Sequence, residues 1–175
     1  MMWRLAPLAL GAALALGGCG LHPLYAGGGH GAIANELATI EVGPISGQSG
    51  WLLRNALVDK LAETGKAPPR YRLEVEIDDQ ITGFGVRTDN SVTRERRTLR
   101  ARYRLVEEDK GTVVLDATAG SDAGIDVVTS EYAVIAAEQS ALERLTDVVA
   151  EQILTRLALY ASRTGAALPP APAAK

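Results

Sequence analysis

Three consecutive segments between residues 71 and 119 alternate apolar and polar side chains with period two, and that alternation limits the fold more than any other feature of the chain. In the first, Tyr71, Leu73, Val75 and Ile77 face one way and Arg72, Glu74 and Glu76 the other. In the second, Leu99, Ala101, Tyr103 and Leu105 oppose Arg96, Thr98, Arg100, Arg102 and Arg104. In the third, Val113, Leu115, Ala117 and Ala119 oppose Thr112, Val114, Asp116 and Thr118. Side chains leave a strand alternately on its two sides, so each segment reads as a half-buried antiparallel strand. Asp109-Lys110-Gly111 supplies a tight turn between the last two. The stretch from Gly83 to Glu95 reads as a longer, polar connection between the first two.

Helical periodicity flanks this meander. Thr39 to Val42 forms a short strand before Gly43-Pro44, and Ser46 is placed to cap a helix running to about Thr64. Leu53, Leu57 and Leu61 recur every four residues with Val58 beside them, and Gly65 and Pro68-Pro69 stop the helix. A long closing helix covers about Glu131 to Arg163, with Ser130 as a cap and Leu142, Leu145, Val149, Ile153, Leu157 and Tyr160 on one face. The order is β-α-β-β-β-α, and a strand–helix–strand unit in one sheet implies a right-handed parallel crossover. The expected product is a two-layer α+β domain over residues 37–163, a mixed four-stranded sheet with two helices on one face. Residues 19–36 contain Gly27-Gly28-Gly29-His30-Gly31 and read as a flexible tether. Those glycines lack the Lys-Ser/Thr of a phosphate-binding loop. Residues 164–175, rich in Ala and Pro, read as a disordered tail.

The N-terminus points to the envelope. Arg4 precedes a short apolar run that ends at Leu16-Gly17-Gly18-Cys19. A positive start, a brief apolar stretch and small residues before a cut describe a secretory signal over residues 1–18. The run is too short to span a bilayer, which takes roughly 20 apolar residues. The four residues ending in cysteine resemble the bacterial lipobox, with Cys19 as the acceptor of diacylglyceryl and N-acyl groups. Cys19 is the only cysteine, so the exported chain can form no internal disulfide. Two or three acyl chains make a stable anchor where one is marginal. Gly20 follows, where inner-membrane lipoproteins of enteric bacteria usually carry aspartate, so the expected destination is the outer membrane.

Charge and histidine content narrow the function. Cleavage before Cys19 removes Arg4 and no acid, taking the formal charge from −3 to −4, which argues against a general nucleic-acid binder. The two histidines, His22 and His30, both lie in the tether, so the domain offers no Ser-His-Asp arrangement and no histidine metal site. The reading is a non-enzyme without cofactor or metal. The unusual feature is the arginine run Arg94, Arg96, Arg97, Arg100, Arg102 and Arg104. One reading pairs the strand arginines with Glu74 and Glu76 on the neighbouring strand. The other is an anion site, since arginine forks match phosphate bidentately. Arg87, Arg94, Arg96 and Arg97, at the loop end, are the candidate lipopolysaccharide-phosphate contacts.

Several motifs together resemble the lipopolysaccharide-assembly lipoprotein LptE family in its alphaproteobacterial form. They are Cys19-Gly20-Leu21-His22-Pro23-Leu24-Tyr25, Leu53-Arg54-Asn55-Ala56-Leu57, the loop with Arg87, Asp89, Thr93 and Arg94, the strand Ala101-x-Tyr103-x-Leu105, Tyr132-Ala133 with Ala137-Glu138, and Ala150-Glu151-Gln152-Ile153. Leu21 departs from the family's usual phenylalanine. The resemblance implies a sheet-plus-two-helices fold that plugs the outer-membrane β-barrel LptD, assists its assembly and takes part in inserting lipopolysaccharide into the outer leaflet. It implies lipopolysaccharide binding through basic residues, which do not map position by position onto this chain. The alternative is a stand-alone periplasm-facing lipoprotein that binds or carries an amphipathic ligand, which needs an apolar cavity. An envelope hydrolase using paired carboxylates is a third, weaker reading.

Overall fold

The computed structural model describes residues 31–86 and 92–165. The signal segment, Cys19, most of the tether, Arg87, Asp89 and residues 166–175 lie outside them. The described elements are α1 (Ala32–Leu37), β1 (Ile40–Val42), α2 (Gly47–Ala62), β2 (Tyr71–Val86), β3 (Val92–Glu107), β4 (Thr112–Asp126) and α3 (Glu131–Gly165). The strands form one sheet in the order β1-β2-β3-β4. β1 pairs parallel with β2 and the other pairs are antiparallel, giving the expected mixed sheet with helices on its apolar face.

The inner face of the sheet is the core. Leu73, Val75, Leu99, Ala101, Tyr103, Leu105 and Ala119 meet Leu53, Leu57 and Leu61 of α2 and Leu142, Leu145, Val149, Ile153 and Leu157 of α3. Every leucine in this set is 5% exposed or less, so the helical stripes and the strand alternation close on each other. α2 and α3 run parallel. Gln48 Nε2 donates to Gln139 Oε1 at 3.2 Å, and Lys60 Nζ sits 3.3 Å from Glu151 Oε2. Twelve residues separate the partners on each helix, so the two stay in step over three turns. Tyr71 and Tyr160 meet edge to face at 6.2 Å where α3 passes the start of β2.

Five expectations need correction. The stretch Gly83–Glu95 is mostly strand, not connection: β2 and β3 stay paired out to Val86 and Val92. The alternation is lost there because the inward positions Asp79, Gly83, Glu95 and Arg97 are polar or absent, while the ladder and cross-strand ion pairs still hold the backbone extended. Residues 31–36 belong to the domain rather than the tether, since Ala34 and Leu37 of the additional helix α1 are buried. Ser46 occupies the N-cap position of α2, yet its side chain makes no capping bond. Val113 lies opposite Val106 and Leu115 opposite Leu105, so a bulge at Val114 turns Val113 to the outer face, where it is exposed. Thr164 continues α3, its Oγ1 donating to the Tyr160 carbonyl, instead of opening the tail.

Geometry requires glycine at Gly111 and Gly50, among other positions. Gly111 adopts φ +64° in the turn after β3 and donates its N–H to the Glu107 carbonyl at 2.8 Å. Gly50 is buried in α2, where an added Cβ would lie 2.9 Å from the backbone of Ile45. Gly50→Ala should therefore destabilise the domain by about 1–3 kcal/mol despite alanine's helix propensity. Gly124→Ala, whose Cβ meets nothing within 4 Å, is the control and should leave the urea midpoint in place.

Candidate functional site

Among the described residues the outer face of the sheet carries no helix, and it presents a banded charge pattern. β3 contributes Arg94, Arg96, Arg100, Arg102 and Arg104. On one side β2 offers Glu74, Glu76 and Asp78, and on the other β4 offers Asp116, Asp122 and Asp126. A basic central strand between two acidic ones is the sheet arrangement in which each arginine can reach a carboxylate across a ladder.

The ladder reading holds for two arginines, with one change of partner. Arg104 Nη2 lies 3.4 Å from both Glu74 and Glu76. Arg102 turns away from β2 and grips Asp116 of β4, with Nη2–Oδ2 at 2.8 Å and Nε–Oδ1 at 3.2 Å. That bidentate bond holds the Asp116 carboxyl below the usual carboxylate range. Arg100 makes no ion pair among the described residues. Its stem runs over Gly120, where a Cβ would come within 3.2 Å of its Cγ. Sequence reasoning grouped Arg100 with the ladder, because the empty space above Gly120 is visible only once β4 is known to extend past Ala119.

The loop-end arginines divide. Arg94 Nε bonds Asp126 Oδ1 at 2.9 Å with both side chains well exposed. Arg96 lies over the Phe84 ring at 5.4 Å and stands 3.8 Å from Asp122, a loose pair. Arg94, Arg96 and Arg100 thus share one outward strip. Arg97 is on the other face. It forks onto Asp79 at 2.7 and 2.9 Å and donates Nη1 to the Glu138 carbonyl of α3 at 2.9 Å, with its side chain 12% exposed. Its hydrogen bonds to Asp79 raise its already high pKa. Arg97 is thereby engaged in fastening the first turns of α3 to the sheet. Arg87 lies outside the described residues, in the five that join β2 to β3.

Beside Arg97 sits a carboxyl pair that the sequence did not single out. Glu95 points to the inner face, and its Oε2 is buried without a hydrogen-bond partner among the described residues. Burial lifts its pKa above the ordinary 4.5, and the negative charge of Glu138 on α3 lifts it further. Among the described residues no cluster of three or more His, Cys, Asp or Glu is placed to hold a metal ion, and no helix is long and apolar enough to cross a membrane.

Two mutational outcomes follow from this geometry. Arg97→Gln strands the half-buried Asp79 and should cost about 1–3 kcal/mol in urea unfolding, whereas Arg102→Gln on the open face should leave the midpoint nearly unmoved. Glu95 has a raised pKa in the fold, so the folded state is favoured in acid and loses stability as pH rises through that value. Glu95→Gln should therefore be more stable than the parent at neutral pH, with the difference vanishing below the ordinary carboxylate range. Parallel stability–pH curves for the two proteins would contradict this.

Comparison with known proteins places the fold. The family described as LptE, lipopolysaccharide-assembly, matches residues 37–157. A crystal structure of a putative lipoprotein from Caulobacter crescentus is similar with TM-score 0.62 and 29% identity, over 81% of this chain and 100% of that one. A minor lipoprotein from Acinetobacter baumannii (TM-score 0.57, 13% identity, 70% of this chain and 92% of that one) shares the fold. So does the rare lipoprotein B from Shewanella oneidensis (TM-score 0.55, 10% identity, 71% and 97%). No curated protein matches the sequence. With the family match spanning more than half of its length, the chain belongs to the LptE lipopolysaccharide-assembly family.

Proposed function

We propose that the chain is an outer-membrane lipoprotein, acylated on Cys19 after loss of residues 1–18, that plugs the LptD β-barrel, helps it assemble and works with it to insert lipopolysaccharide into the outer leaflet. The observation that carries this reading is the family match over residues 37–157, which covers nearly the whole folded domain. The charged outer face supports it. A body seated in a barrel meets a polar lumen, and the interleaved arginines and carboxylates suit that surface better than an apolar wall would. The role is one of binding and assembly, without turnover or cofactor.

The carrier alternative needs a roomy apolar cavity. The pocket between the helices and the sheet at Tyr71, Leu105 and Tyr160 holds only about 10 Å³, too little for an acyl chain. Two larger depressions among the described residues, along α3 and beside β1, are open surface grooves. This disfavours a stand-alone carrier.

Lipopolysaccharide phosphates are assigned to Arg94 and Arg96 at the far end of the outer face, with Arg87 in the adjoining connection. Arg97 keeps a place among the candidates only if it gives up Asp79. Arg94→Gln with Arg96→Gln should weaken binding of purified lipopolysaccharide at least about tenfold, a loss of roughly 1.4 kcal/mol, while thermal unfolding shifts little, because both ion pairs are exposed. Unaltered binding would remove these two residues from the site. The wider role is tested by depleting the chain in its own cell. Loss of correctly folded barrel and of surface lipopolysaccharide is expected, and normal levels of both would overturn the assignment.

A further inference from the structure

The two edges of the sheet are treated differently. On the β4 side, Gln152 of α3 accepts the outward Gly120 N–H at 3.1 Å and blunts the edge. On the β1 side no such cover exists among the described residues. Thr39 accepts the Tyr71 N–H on its carbonyl and Gly43 donates to the Leu73 carbonyl, so alternate residues of β1 bond to β2. In a parallel ladder the residues between them turn their N–H and C=O groups the other way. Ile40 and Val42 therefore present an outward row of backbone donors and acceptors. Beside that row lies a groove of about 320 Å³ with Leu37, Ile40, Val42, Val58 and Leu61 among its walls and Arg54 and Lys66 at its rim. Val58, next to the buried Leu53–Leu57–Leu61 stripe of α2, is 38% exposed and lines the groove.

We propose that this groove and edge receive the segment Leu21-His22-Pro23-Leu24-Tyr25 of the same chain. The described fold begins at Gly31, and α1 then runs six residues, about 9 Å, to Leu37 in the groove wall. The residues between Tyr25 and Gly31 are Ala26-Gly27-Gly28-Gly29-His30, a linker that spans up to about 20 Å and can double back over that distance. Leu21, Leu24 and Tyr25 are the large apolar side chains between Cys19 and α1, and a pure spacer has no use for them. An extended strand laid on an open edge gains main-chain hydrogen bonds and buries alternate side chains in the groove. Pro23 is compatible with an outermost strand, whose outward N–H has no ladder to join.

Docking gives the anchor a direction. Leu21 is two residues from Cys19, so the acyl chains, in the reading proposed above, leave the domain at the β1 edge. The β2–β3 tip, thirteen residues along β2 from Leu73 to Val86, then points some 40 Å away from that edge. Arg94 and Arg96 sit at that far end.

Hydrogen exchange on the full mature chain in mild detergent tests this. Triple substitution Leu21→Ser, Leu24→Ser, Tyr25→Ser should speed exchange of the amides in Thr39–Gly43 by about tenfold or more, with Leu99–Leu105 as the folding control. Val58→Glu, placed in the groove wall at an exposed position, should produce the same gain and also speed exchange in residues 21–25. Equal exchange of Thr39–Gly43 in parent and both variants overturns the proposal, as does protection that appears only with rising protein concentration, which would assign the edge to a second copy. The mass of the N-terminal peptide in the same spectra reports Cys19 acylation separately, so a failure of docking is distinguished from a failure of the anchor.

Discussion

The structure depends on one contact, the burial of the sheet's inner face beneath α3. A 35-residue helix is about 52 Å long and a 16-residue strand about 53 Å, so α3 can lie along the full length of β2 and β3. Where α1 and α2 join it, the layer is closed by buried leucine, valine and isoleucine. Beyond the start of α2 only the first turns of α3 remain over the sheet, and no residue from Glu131 to Ser140 is fully buried. Polar groups take over there. Arg97 bridges Asp79 and the Glu138 carbonyl, and Glu95 faces Glu138. The domain therefore has a firm end, built on hydrophobic burial, and a far end held by ion pairs and backbone ladders. The far end carries the outward arginine strip.

This division explains what could be read from the residues alone. The firm end was legible because burial on one side imposes period two on β2 and β3 and a stripe of every third or fourth residue on α2 and α3. Leu73, Leu99, Leu105, Leu142 and Leu157 stand where periodicity put them. The parallel β1–β2 pair followed from the strand–helix–strand order. The far end was hidden for the complementary reason. Strand there is maintained by pairing partners distant in sequence, such as Arg94 with Asp126, and Gly120 and Gly124 carry no side chain to reveal a period. Short helix α1 was masked by its proximity to the glycine run, and the bulge at Val114 shifts side chains by one in a way no local pattern announces.

The arginines show the same limit. Their presence on one strand face was evident for Arg96, Arg100, Arg102 and Arg104, but their partners were not. Arg102 chose Asp116 over the acids of β2, and Arg97, one residue from Arg96, turned inward to a structural task. Adjacent positions on a strand point to opposite faces, so two neighbouring arginines can have unrelated roles. On the outward strip Arg100 makes no ion pair among the described residues, Arg96 is held only loosely at 3.8 Å from Asp122, and Arg94 would share an anionic ligand with its bond to Asp126.

In the proposed role this domain works inside a barrel and not alone. Affinity purification of the tagged chain from outer membranes in mild detergent, followed by mass spectrometry of what accompanies it, tests that claim most directly. A large β-barrel protein recovered near one-to-one is the expected result. Recovery of the chain by itself, acylated and folded but without a barrel, would contradict it.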